Sequence, residues 1–248
     1  MKVKDLYDRL DETIPSSLSC EWDNDGLMCC PDPDREVRRV LLTLDVTQAA
    51  AEYAEEKGFD AIISHHPLIF RPLPSLISRK LIRLVRNNIT VMSFHTRLDK
   101  LDNGVNRVLA EKIGITDASA FSEEGIGLIG TLEEPIMPEL FCERIKKSLG
   151  CPVLELVTAG LPCSRIAVVG GDGKDCLSDA VRAGCDTYLT GSMSYNSLID
   201  ASEIGINIIA AGHFFTENPV LEKIEQIIKT IDRGIRCELF DCNVVKMV

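Results

Sequence analysis

Apolar positions along this chain come in short continuous runs, separated by stretches where they recur at helical spacing. RRVLLTLDV (38–46) is rich in branched residues and predicts a buried strand. The alanines and glutamates of TQAAAEYAEEKGF predict a helix that starts from a Thr47 cap and closes at Gly58. A strand in DAIIS follows, then a helix over LISRKLIRLVRNN (76–88), a strand in ITVMSF and a helix over NGVNRVLAEKIG. This alternation predicts an α/β fold with mainly parallel sheets covered by helices.

The pattern also repeats. RRVLLTLDVTQAAAEYAEEKGFDAIISHH aligns without a gap on SRIAVVGGDGKDCLSDAVRAGCDTYLTGS at an offset of 126 residues. The identities include Arg39 with Arg165, Ala54 with Ala180, Gly58 with Gly184 and Asp60 with Asp186. A further strand ending in histidine follows each copy, and there His95 matches His213 and Asp99 matches Glu217 at an offset of 118. Two pseudo-symmetric α/β halves are expected, 1–126 and 127–248, intertwined into one compact unit.

The chain has 4 histidines, and His65, His66, His95 and His213 all fall just after predicted strands. The carboxyl ends of parallel strands line the ligand crevice of open α/β sheets, so residues distant in sequence can converge there. Asp99 and Glu217 lie in the same loops, Glu217 just ahead of Asn218 and Pro219, which predict a cap and the first turn of helix VLEKIEQIIKTI. Any one of these histidines alone reads as a satisfied, partly buried side chain. Four at strand ends with two carboxylates point to a metal site. Pro67 favours extended backbone at His66, so the adjacent imidazoles diverge and can serve two different ions. Mixed nitrogen and oxygen ligands suit zinc, iron, manganese or nickel, and a carboxylate can bridge two ions about 3.5–4 Å apart.

Composition narrows the partners. With 45% hydrophobic residues the chain can bury a large core, and its net charge of −11 disfavours a broad nucleic-acid surface. No stretch is long and apolar enough to span a membrane, and MKVKDLYDRLDETIP lacks an apolar leader core, so a soluble cytoplasmic protein is expected. The 10 cysteines are scattered without a CxxC pair and read as reduced, mostly buried side chains. GIGLIG (125–130) spells a dinucleotide motif but no helix opens directly after it, so it reads as a glycine-rich strand. GGDGKD (170–175) sits between a strand and a helix, where backbone amides can receive a phosphate. EWDNDGLM (21–28) reads as a capped turn with its tryptophan ring buried.

Taken together, SHHPLIF, HTRLD, GHFFTE and EWDNDGL resemble the NIF-three-like proteins, also described as dinuclear metal centre proteins and, in bacteria, as GTP cyclohydrolase I type 2 homologues. The resemblance spans nearly the whole chain, with four motifs in the family's order. It implies a NIF-three-like fold with the metal site between the halves, and two divalent metal ions per subunit on His65, His66, Asp99, His213 and Glu217, the glutamate bridging. It also implies a homohexameric ring. His95 belongs to the same motif and by the repeat is expected close by, either as an extra ligand or as a hydrogen-bonding partner of the ligands and proton carrier, the second being favoured. Where the family usually has asparagine, this chain has Arg97, which adds a positive charge near the site and, with GGDGKD, makes a phosphate welcome.

The expected activity is metal-dependent hydrolysis of a nucleotide or phosphorylated small molecule, with His95 and Glu217 as catalytic groups. The competing expectation is a metal-binding ring that binds nucleic acid or a protein partner, or stores and delivers metal, without catalysis.

Overall fold

The computed structural model describes residues 1–122 and 124–246 and divides into two compact units. Met1–Leu101 with Leu221–Val244 forms the first, and the second is built on Asp102–Val220. Among the described residues no helix is long and apolar enough to cross a membrane.

The first unit holds a five-stranded sheet in the order Gly26–Cys29, Thr90–Ser93, Ala61–Ser64, Arg39–Thr43, Arg236–Leu239. All its pairings are parallel except that of the edge strand Gly26–Cys29. Leu41, Ile62 and Val91 stand side by side in register and pack with Ala51, Ala54, Phe59 and Leu84 in one core cluster. Every residue of Ala61–Ser64 and Thr90–Ser93 is buried, as the unbroken apolar runs demand of strands covered on both faces. The helix Gln48–Lys57 starts and stops where its sequence requires. The Thr47 side chain accepts from the Ala50 amide at 3.1 Å, and Gly58 closes the helix at φ +67°. The helix expected over 76–88 is shorter, Arg79–Arg86, because the Ser78 side chain caps it by accepting from Leu81 N.

The second unit holds a six-stranded sheet in the order Thr116–Ala120, Leu128–Ile136, Cys163–Asp172, Thr187–Ser192, Asn207–Ala210, Glu155–Val157. The central strands Cys163–Asp172, Thr187–Ser192 and Asn207–Ala210 are parallel, while the flanking pairings are antiparallel. The connection from Thr116–Ala120 to Leu128–Ile136 is too short for a crossover helix, so that pair is antiparallel. GIGLIG runs through this connection into a strand, as expected. A side chain at Gly130 would stand 2.4 Å from the Thr116 carbonyl of the neighbouring strand.

The internal repeat is present atom by atom. Asp60 accepts from Arg38 N at 2.8 Å and Arg39 N at 2.9 Å, and Asp186 accepts from Ser164 N at 3.0 Å and Arg165 N at 2.8 Å. Arg39 and Arg165 each donate from the side chain to the carbonyl just before the glycine, that of Lys57 and of Ala183. Gly58 and Gly184 both take left-handed φ, +67° and +73°. Ala54 and Ala180 are fully buried, and their carbonyls accept from Phe59 N and Cys185 N. Each residue shared between the copies thus makes the same hydrogen bond or fills the same place in its own unit.

Candidate metal centre

In the first unit the strands Ala61–Ser64 and Thr90–Ser93 lie side by side and parallel, so the residues that follow them emerge at the same sheet edge. His65 and His66 follow one strand, and His95 follows the other after Phe94. Their ring centroids lie 5.0 Å (His65 to His66), 5.3 Å (His65 to His95) and 5.7 Å (His66 to His95) apart. One ring nitrogen from each of the three can be chosen so that all lie within 4.8 Å of one another.

Each ring is held through Nδ1. His65 Nδ1 lies 2.9 Å from the Phe94 carbonyl, His66 Nδ1 2.8 Å from Asp45 Oδ1 and His95 Nδ1 2.9 Å from Asp23 Oδ1. A carbonyl only accepts, so His65 donates from Nδ1, and the carboxylates beside the other two rings can accept in the same way. Donation of one ring N–H to an oxygen while the other nitrogen stays available is how metal-binding histidines are oriented. Asp99 Oδ1 lies 3.7 Å from His65 Nε2.

The segment around Trp22 supplies the scaffold. Asp23 accepts from His95 Nδ1, from Thr96 N at 3.0 Å and from Thr96 Oγ1 at 2.6 Å. Burial works to raise the Asp23 pKa, but these donors outweigh it and hold the carboxyl below the ordinary carboxylate range. Asp25 accepts from His95 N at 3.1 Å and from Arg97 Nε at 3.0 Å. Arg97 corrects the sequence reading. Its side chain is 2% exposed and is taken up by Asp25, Asp11 and the Ile14 carbonyl, so its charge locks the turn and is not offered to a phosphate. Trp22 is a second correction: with Asp23 and Asp25, which follow it, turned inward to His95 and Arg97, the residue is left 55% exposed.

In the second unit His213–Glu217 is a one-turn helix that places His213 Nε2 2.9 Å from Glu217 Oε2. Glu217 therefore ends its own helix and does not sit at the start of the next, Val220–Ile231, as its position before Asn218 and Pro219 had suggested. The Asn218 amide bonds back to the Phe214 carbonyl at 2.8 Å and completes the turn. Glu217 is 5% exposed and rests on the GGDGKD loop. A side chain at Gly171, where φ is +69°, would stand 2.1 Å from Glu217 Oε1 and 3.1 Å from His213 Nε2. The amides of its three glycines are already used: Gly170 N donates to Asn106 Oδ1 at 2.9 Å, Gly171 N to Thr216 Oγ1 at 3.1 Å and Gly173 N to Thr190 Oγ1 at 3.0 Å. These glycines make room for a carboxylate and do not form the phosphate cradle expected from their sequence.

Comparison with known proteins identifies the family. The profile of Duf34/NIF3 (NGG1p interacting factor 3) matches residues 1–245. The chain belongs to this family. A Clostridium perfringens protein named GTP cyclohydrolase 1 type 2 homolog is 36% identical over 243 residues, covering 92% of each chain. A Lactococcus lactis relative of the same name is 31% identical over 95% of each chain. Among solved structures, a Staphylococcus aureus hypothetical protein superposes with a TM-score of 0.89 at 27% identity, covering 100% of this chain and 99% of its own. Reduced HcgD from Methanocaldococcus jannaschii gives 0.86 at 27% identity, covering 96% of this chain and 97% of its own. These neighbours share the NIF3-like α/β fold.

Within the first unit, then, the structure gathers His65, His66, His95 and Asp99, and within the second His213 and Glu217. Sequence reasoning missed Asp23 and Asp45, the carboxylates that orient His95 and His66. The signal available was the acid-rich EWDNDG and the aspartate that ends TLD beside a predicted strand terminus.

Proposed function

We propose that this protein is a dinuclear metal-dependent hydrolase acting on a nucleotide or a phosphorylated small molecule, with His65, His66, Asp99, His213 and Glu217 as ligands of two divalent ions. The observation that carries the reading is the common anchoring of His65, His66 and His95 through Nδ1, the orientation in which metal-binding histidines are held, with one ring nitrogen from each within 4.8 Å of the others. The donor set fits zinc, iron, manganese or nickel. Such a pair of ions, when bound, supplies Lewis acidity and acidifies a water for attack.

The chain's own residues do the rest. Asp45 and the Phe94 carbonyl keep the His66 and His65 rings aimed. His95, with Nδ1 held by an ionised Asp23, has Nε2 available to take a proton from the attacking group and return it to the leaving group. Glu217, pressed on Gly171 and paired with His213, offers a carboxylate fixed in place. The names of the curated relatives support a nucleotide as the substrate class. The homohexameric ring belongs to the same reading and falls if light scattering returns a monomer.

The deciding experiment is metal content per chain by plasma mass spectrometry on protein purified without chelators, followed by a nucleotide hydrolysis screen. About two ions per chain are expected, falling in both His65→Ala and Glu217→Ala. No bound metal after incubation with zinc, iron or manganese would sink the mechanism.

A further inference from the structure

We propose that Trp22 and Phe70 form a subsite for a flat heteroaromatic ring, so that the ring end of the substrate, and not its phosphate end, lies beside the histidines; the proposal rests on the hydrolase reading above. Two large aromatic side chains stand open here, Trp22 at 55% and Phe70 at 45% exposure. Their rings are 6.3 Å apart at 62°, an open corner and not a closed stack. Both meet His95 nearly edge to face, Trp22 at 6.4 Å and 79° and Phe70 at 6.2 Å and 89°. The corner is built and not incidental. Asn24 donates its side-chain amide to the Ile69 carbonyl, tying the Trp22 turn to the Phe70 loop, and Asp23 and Asp25 fix that turn from beneath.

A ring laid on one wall of such a corner stacks face to face with it and presents its edge to the other, both favourable geometries at centroid separations of about 4.5–7 Å. With the walls already that close to His95, the ligand's ring atoms come within reach of the imidazoles. The polar groups nearby are acceptors. The groups around the three histidines are the carboxylates of Asp23, Asp45 and Asp99, and Arg97 is turned to Asp25 and Asp11. The divalent ions of the hydrolase reading would themselves draw a phosphate, so it is the two aromatic walls, and not charge, that favour the ring end at this corner. Every base has a face to stack, so the corner selects ring shape before it selects which base.

Trp22 is the only tryptophan, so the protein as purified carries its own reporter. Guanosine and adenosine are titrated against its fluorescence, beside ribose 5-phosphate and inorganic triphosphate. Saturable quenching by the nucleosides, unchanged by the two phosphates, is expected. Phe70→Ala is expected to weaken nucleoside binding about tenfold, as loss of one stacking partner does. By calorimetry, Trp22→Phe keeps binding and Trp22→Ala loses it, circular dichroism confirming that each variant folds. Absence of nucleoside quenching, equal quenching by triphosphate, or indifference to Phe70→Ala overturns the subsite. So does fluorescence that responds to protein concentration and not to nucleoside, which makes the corner a self-association surface. Quenching in wild type that hydrolyses nothing upholds the subsite while the hydrolase reading fails. Hydrolysis of a phosphoester lacking a ring, without nucleoside binding, does the reverse.

Discussion

Gly171→Ala is the most informative single change, because two separate costs can be read from its surroundings. At φ +69° an L side chain is strained, by roughly 1–2 kcal/mol. The added Cβ also stands 2.1 Å from Glu217 Oε1, 3.0 Å from Glu217 Cδ and 3.1 Å from His213 Nε2. Glu217 is buried and cannot swing clear as a surface side chain does, so the contact adds an overpacking cost of about 1–3 kcal/mol. Gly184 provides the control: its φ is +73° and nothing lies within 4 Å of its would-be Cβ, so Gly184→Ala carries the strain alone. Urea denaturation of both variants should place Gly171→Ala below Gly184→Ala by about 1–3 kcal/mol, the backbone term cancelling. Displacing Glu217 should also weaken metal binding by roughly 10- to 100-fold, read by competition with a chromogenic chelator, while Gly184→Ala leaves it unchanged. Equal stability of the two variants, or wild-type metal affinity in Gly171→Ala, refutes the idea that this glycine exists to seat Glu217.

The other predictions draw on different parts of the molecule. Arg97→Met should destabilise by about 3–5 kcal/mol in denaturant, since it strands Asp25, whose side chain is 3% exposed; adding Asp25→Asn should recover part of that loss. Asp60→Ala and Asp186→Ala should each cost about 1–3 kcal/mol, because each strips the acceptor from two strand amides; a loss in one unit and none in the other would break the equivalence of the repeats. Burial pushes the thiols of Cys142, Cys176, Cys185 and Cys237 up to about 11. At pH 8 they should therefore alkylate roughly a hundredfold more slowly in the folded protein than in urea, and labelling of any of them in the folded protein at the urea rate, read by mass spectrometry, would contradict their burial.

The contrast between what the residues announced and what they concealed follows from the range of the forces involved. Thr47 and Gly58 marked their helix because capping is decided within a few residues, and the shared Arg, Ala, Gly and Asp of the repeat each serve a bond inside one supersecondary unit. His65, His66, His95 and His213 were legible as a group because strand periodicity puts them all at strand ends. The antiparallel flanks of the second sheet and the pairing of Arg236–Leu239 with Arg39–Thr43 were not, since nothing local names a partner so far along the chain. The misread residues share one cause. Arg97, GGDGKD and Trp22 were assigned from their own chemistry, a charge, a set of free amides and a large apolar ring, yet each is decided by its neighbours' claims. Asp25 and Asp11 take the guanidinium, Asn106, Thr216 and Thr190 take the amides, and Asp23 and Asp25 take the inside of their turn and leave the tryptophan outside. Hydrophobicity alone would bury the ring of Trp22, but the hydrogen bonds that Asp23 and Asp25 make one and three residues further on fix the turn and leave that residue exposed beside His95.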